Sequence, residues 1–117
     1  MTNEEIAIRW AQGLTSDFSL LDEVSSPTMM VWHSTDGAWI GREESTRRAA
    51  ELERVGRPEF ENVRSQVTER GFVVQATLVD PAHEDRSTHI VQLVTVQSGL
   101  VTHVEEYIAP GRRSDPR

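Results

Sequence analysis

The chain has 117 residues, which suits one domain of ordinary size and is too short for two domains with separate cores. It contains 12 arginines and no lysine, and its 19 acidic residues give a formal charge of −7. This excess of negative charge argues against nucleic acid as a partner, because binding to its phosphates requires clustered positive side chains. The absence of cysteine excludes disulfides and thiolate metal sites, and the absence of lysine excludes Schiff-base chemistry.

The hydropathy of the chain gives no sign of a membrane segment. No apolar run approaches the roughly 20 residues that cross a bilayer. The N-terminus, Met-Thr-Asn-Glu-Glu, is acidic where a secretory signal would be basic. We therefore expect a soluble, cytoplasmic protein that makes no contact with membranes.

Three segments in the first half of the chain space their apolar residues as helices do. In the first of them, Ile6, Trp10 and Leu14 recur at four-residue steps, which places them on one helix face. Acidic residues near the start of the first and third segments favour the same interpretation through the helix dipole. The predicted helices cover residues 4–14, 17–24 and 42–55.

The other segments have the patterns of strands. The clearest alternation begins at Gly71, where Phe72, Val74, Ala76 and Leu78 form one uniformly apolar face. That face belongs in a core. The predicted strands cover residues 28–34, 38–40, 59–70, 71–79, 87–97 and 100–109, and a Ser-Ser-Pro stop at 25–27 separates the second helix from the first strand.

This order of elements predicts a single α+β domain over residues 1–110. Helices followed by a run of strands pack as a layer against one face of a mostly antiparallel sheet. Residues 111–117 are rich in Pro, Gly and Arg, and we expect them to form a disordered tail.

Two polar residues interrupt apolar strand faces near the end of the chain. Gln92 alternates with Ile90 and Val94, and burying its amide without a partner would cost about 1–3 kcal/mol. Glu106 shares a face with Thr102, Val104 and Ile108 if no bulge interrupts the last strand. If a hairpin pairs these strands, Gln92 and Glu106 project into one space, as a general base and its hydrogen-bonding partner would. A Gln satisfied by the protein alone and a solvated or Arg-paired Glu are the alternatives.

His33 is the third candidate catalytic residue, because imidazole moves protons near neutral pH. The alternation does not decide whether Trp32 or His33 points inward. No pair of histidines has the spacing of metal ligands, so we expect no metal and no other cofactor. Large apolar side chains would line a pocket for a small apolar organic ligand, the candidates being Trp10, Trp32, Trp39, Val74, Ala76, Val94 and Val104.

The chain resembles the nuclear transport factor 2-like superfamily, and in particular its SnoaL-like and ketosteroid-isomerase-like members. The resemblance covers residues 3–109 and is carried by Trp-Ile-Gly-Arg-Glu-Glu at 39–44 and by Ser-Gly-Leu-Val-Thr-His-Val-Glu-Glu-Tyr-Ile at 98–108. It implies a cone-shaped α+β fold with three N-terminal helices on a curved, mostly antiparallel sheet. Motifs of this kind identify the fold better than the reaction.

The resemblance also bears on the site residues. SnoaL-type cyclases pair a carboxylate on the last strand with a polar residue, usually His, on the strand before, and Glu106 and Gln92 stand approximately there. The two aspartates of ketosteroid isomerase fall here at Trp32 and Gln92, so the mechanism of that enzyme is not expected.

These observations support two functional hypotheses. In the first, the protein is a cofactor-independent isomerase or cyclase in which Glu106 removes a proton next to a carbonyl and Gln92 steadies the enolate. In the second, it is a noncatalytic ligand-binding or assembly domain of the same fold. Both predict a homodimer through the sheet face away from the helices, where Val73, Val79, Val91 and Leu93 would leave too much apolar surface for a monomer.

Overall fold

The computed structural model describes residues 1–56, 59–79 and 86–112. The predicted α+β class is confirmed. The helices are α1 (Asn3–Thr15), α2 (Ser19–Glu23) and α3 (Arg42–Val55), and the strands are β1 (Ser25–His33), β2 (Ala38–Gly41), β3 (Glu59–Val67), β4 (Gly71–Val79), β5 (Arg86–Gln97) and β6 (Leu100–Arg112). The second helix is shorter than expected, with 5 residues. No helix in these three ranges is long and apolar enough to cross a bilayer.

The six strands form one sheet in the order β2-β1-β6-β5-β4-β3. Strands β1 and β6 run parallel, and the other neighbouring strands are antiparallel. A tight turn joins β5 to β6, with Ser98 and Gly99 at φ values of 53° and 78°. The register shifts by one residue next to this turn, between Thr95 and Val96, and the shift sets Gln92 directly opposite Glu106. An unbroken ladder from the turn would have set Gln92 opposite Glu105.

Helix α1 covers part of the sheet and supplies much of the core. Thr2 and Glu5 form a capping box at its first turn, which satisfies backbone N–H groups that have no partner inside the helix. Its apolar face packs against β3 and β4. The core that results contains Ile6, Ala7, Trp10, Leu14, Val24, Met29, Val31, Phe72, Val74, Val94, Val101 and Val104.

Two strand boundaries differ from the prediction. Strand β1 begins at Ser25, so the Ser-Ser-Pro segment belongs to the strand. Pro27 is tolerated because the pairing with β6 is irregular between Ser25 and Met30, where a missing N–H breaks no ladder bond. Strand β6 continues through Arg112, into the segment predicted as a tail. The rest of that segment lies outside the described residues.

Candidate functional site

A cavity of about 510 Å³ opens between the sheet and the helices. Its volume is within the range of small-molecule sites, roughly 300–1,000 Å³. Apolar side chains from several elements form most of its wall, among them Leu14, Met29, Val31, Phe60 and Val104. Gln92, Glu106 and His33 bring polar atoms to the same cavity. The arrangement offers an apolar enclosure with a few convergent polar groups.

Gln92 connects α1 to the last strand through two short hydrogen bonds. The indole Nε1–H of Trp10 donates to Gln92 Oε1 at 2.8 Å. Gln92 Nε2 in turn donates to Glu106 Oε2 at 2.7 Å. Trp10 and Gln92 are 3% and 4% exposed, so these bonds form away from bulk water. Strand alternation predicts that Gln92 and Glu106 share a face, whereas the register shift that sets them opposite each other and the bond from Trp10 have no signal in the sequence pattern.

His33 faces the cavity from β1, beside Glu106. The parallel pairing of β1 with β6 aligns the two residues, and His33 Nε2 lies 4.0 Å from Glu106 Oε1. In the described part of the chain, the enclosed His33 Nδ1 has no hydrogen-bond partner. No three His, Asp or Glu side chains of the described ranges come together as a metal site would require.

The expectation that Trp32 and Trp39 line the pocket is wrong. Because His33 points inward, its neighbour Trp32 points to the opposite sheet face, where its ring lies 5.2 Å from that of Tyr107. Trp39 pairs with Trp32 across the β1–β2 ladder and therefore shares its side. Its ring lies 5.9 Å from that of His103.

The other predicted lining residues divide between cavity and core. Trp10 and Val104 line the cavity. Val74, Ala76 and Val94 are buried but are not among the residues that line it, and this corrects the expectation for all three. They have the predicted inward orientation, but Val74 and Val94 pack in the core beneath α1.

Sequence reasoning missed the wall that α3 contributes. Ser45, Ala49 and Leu52 line the cavity from this helix, although α3 has no buried residue. The weak apolar stripe of Ala49, Leu52 and Val55 is the signal that could have indicated it.

Arginine side chains near the start of α3 hold this helix beside the cavity. Arg42 donates to the carbonyl oxygens of Asp22 and Ser25, at 3.2 and 3.3 Å, and so links α3 to α2 and β1. Arg48 lines the cavity and donates to Glu44 at 3.2 Å. Hydrogen bonds from Arg47 and Arg48 lower the pKa of Glu44 to about 2.

Neither a family model nor a curated protein matches this sequence. Solved structures do match, and they define the fold. A protein of unknown function from Burkholderia xenovorans described as NTF-2 like has a TM-score of 0.75 at 19% identity, over 97% of this chain and 87% of its own. A proposed ketosteroid isomerase from Kribbella flavida has a TM-score of 0.76 at 16% identity, over 98% of this chain and 83% of its own. A proposed SnoaL-like polyketide cyclase from Mesorhizobium loti has a TM-score of 0.67 at 19% identity, over 92% of this chain and 99% of its own.

The chain therefore has the nuclear transport factor 2-like fold, and the resemblance inferred from sequence is confirmed at this level. Identities below 20% in these three pairs do not carry residue roles from one protein to another, since the fold hosts many functions.

Proposed function

We propose that this protein is a cofactor-independent enzyme of the isomerase or cyclase type that acts on an apolar carbonyl compound. The observation that carries the proposal is the hydrogen bond of 2.7 Å between Gln92 and Glu106 at the wall of the cavity. It holds a carboxylate, whose side chain is 19% exposed, in contact with a space large enough for a ligand. A carboxylate placed in this way can act as a general base.

In the proposed reaction, Glu106 accepts a proton from the carbon next to the substrate carbonyl. The electron pair of the broken C–H bond moves into the carbonyl group, which becomes an enolate. Two neighbouring donors can stabilise the enolate oxygen: the second N–H of Gln92 and the Nε2–H of His33. Return of the proton from Glu106 to another carbon completes an isomerisation. In a cyclisation, the enolate carbon attacks a second carbonyl of the substrate, whose electron pair moves onto its oxygen, and the alkoxide so formed takes the proton from Glu106.

The first step can be tested without the natural substrate. β-Tetralone is an apolar bicyclic ketone that exchanges the hydrogens next to its carbonyl when a base removes them. We expect the protein to accelerate the exchange of these hydrogens in heavy water, followed as loss of their proton NMR signal. If the protein binds β-tetralone but does not accelerate this hydrogen exchange, the result would instead support the second hypothesis, a noncatalytic ligand-binding domain.

We also propose that two copies of the chain associate through the sheet face opposite the cavity. Trp39, Leu93 and Tyr107 on this face are 46%, 40% and 42% exposed. Partial desolvation and a hydrogen bond to Glu105 raise the pKa of the Tyr107 phenol. Val79, predicted to lie on this face and leave apolar surface there, is buried at 4% and does not contribute to the exposed patch.

Leu93→Asp tests this assembly, because it places a charge within the patch. We expect sedimentation velocity at micromolar concentration to give a dimer for the wild type and a monomer for Leu93→Asp. Val55→Asp is the matched control, since Val55 is 62% exposed on α3, and it should remain dimeric. A wild-type protein that sediments only as a monomer would refute the proposed interface.

A further inference from the structure

The amide of Gln92 reaches Glu106 in only one of its two orientations. The indole N–H of Trp10 is a donor without acceptor capacity, and it lies 2.8 Å from Gln92 Oε1. On the other side of the amide, Nε2 donates to Glu106 Oε2. Turning the amide over would set an N–H group against the indole N–H and an oxygen against the carboxylate. Both contacts therefore favour the orientation that is seen.

We propose that Trp10 is a positioning residue, which orients the general base Glu106 by fixing the amide of Gln92. This inference rests on the proposed role of Glu106 as the base. Since Oε2 is occupied by Gln92, the other oxygen, Oε1, is the one that accepts the substrate proton. Oε1 is also the oxygen nearer to His33, at 4.0 Å from Nε2, so the proton acceptor and a donor for the enolate lie side by side.

The packing of Trp10 suits it to this role. Its ring meets Phe72 edge to face, with centroids 6.2 Å apart, and it lies between Ile6 and Leu14 on the buried face of α1. The ring is thus held by the core, whereas Gln92 and Glu106 belong to the sheet. The position of α1 on the sheet therefore sets the geometry of the base.

The indole N–H signals of the full-length protein give a readout that does not depend on activity. The chain has three tryptophans, and Trp39 on the opposite sheet face is the internal reference. We expect Gln92→Leu and Glu106→Gln each to move the Trp10 signal, because hydrogen bonds in a chain polarise one another. The Trp39 signal should stay in place. A Trp10 signal that neither substitution moves would overturn the proposal.

Trp10→Phe keeps an aromatic ring in the core and removes only the N–H and part of the ring. With β-tetralone as the probe, we expect its kcat for exchange to fall on the order of 10²-fold while KM stays nearly constant, as for a misplaced catalytic group. Trp39→Phe is the matched control and should keep the wild-type kcat. An unchanged kcat, or a rise in KM alone, would show that Trp10 only contacts the ligand and would overturn the proposal.

Two results separate this inference from the proposed function. If Trp10→Phe does not fold, the effect of Glu106→Gln on the indole signal still decides whether the three residues are coupled. If the indole signal moves but Glu106→Gln exchanges the probe at the wild-type rate, the coupling is real and the assignment of the base is wrong. Trp10 would then position a residue that does no catalysis, which refutes the proposal as stated.

Discussion

Glu106→Gln is expected to lower the rate of hydrogen exchange from β-tetralone by roughly 10²–10⁴-fold, the usual contribution of a general base. The replacement has nearly the same size, and its amide cannot accept a proton at neutral pH. The cavity therefore keeps its shape, and KM should change little. Exchange would be measured by proton NMR in heavy water, under the same conditions for each variant.

The neighbouring carboxylate supplies the control for this experiment. Glu105 pairs with Leu93 across the sheet and accepts a hydrogen bond from Tyr107 at 3.2 Å, on the face away from the cavity. Glu105→Gln also removes one negative charge from β6, and the rate at which this variant exchanges the hydrogens of β-tetralone should match that of the wild type. A wild-type rate in Glu106→Gln, or an equal loss in both variants, would contradict the role given to Glu106.

Phe72→Ala is expected to lower the free energy of unfolding by about 3–5 kcal/mol, the range found for removal of buried aromatic rings. Phe72 is 0% exposed and packs against the edge of Trp10, so its loss leaves a cavity that the rigid sheet cannot close. Urea denaturation measures the change. Val67→Ala, at a residue that is 47% exposed, should change stability by no more than about 0.5 kcal/mol. A loss below about 1 kcal/mol for Phe72→Ala would contradict the description of the core.

The shared face of Gln92 and Glu106 could be predicted from the alternation of side chains within each strand. Ile90 and Val94 place Gln92 on the core face, and Val104 places Glu106 on it. The pairing itself could not be predicted, because an unbroken hairpin sets Gln92 opposite Glu105, and the register shift between Thr95 and Val96 that brings Glu106 there has no signal in the sequence. The predicted helix at 42–55 was confirmed for a local reason, since Gly41 and Gly56 flank it.

The choice between Trp32 and His33 could not be made from the sequence. Both neighbours in a strand must point to opposite faces, and a run of bulky residues fits either register. The structure buries Met29 and Val31, so His33, two residues on, faces the cavity and Trp32 does not. The bond from Trp10 to Gln92 was also beyond prediction, because it joins residues 82 positions apart and depends on how α1 lies on the sheet.

The most direct test of the proposed chemistry is a crystal structure of the protein with β-tetralone bound. The proposal predicts the ketone in the cavity, with a carbon next to its carbonyl within roughly 3–3.5 Å of Glu106 Oε1, the separation of reacting atoms before transfer. The carbonyl oxygen should lie within hydrogen-bonding distance of His33 Nε2 or Gln92 Nε2. A ketone bound elsewhere, or one whose carbonyl points away from Glu106, would contradict it.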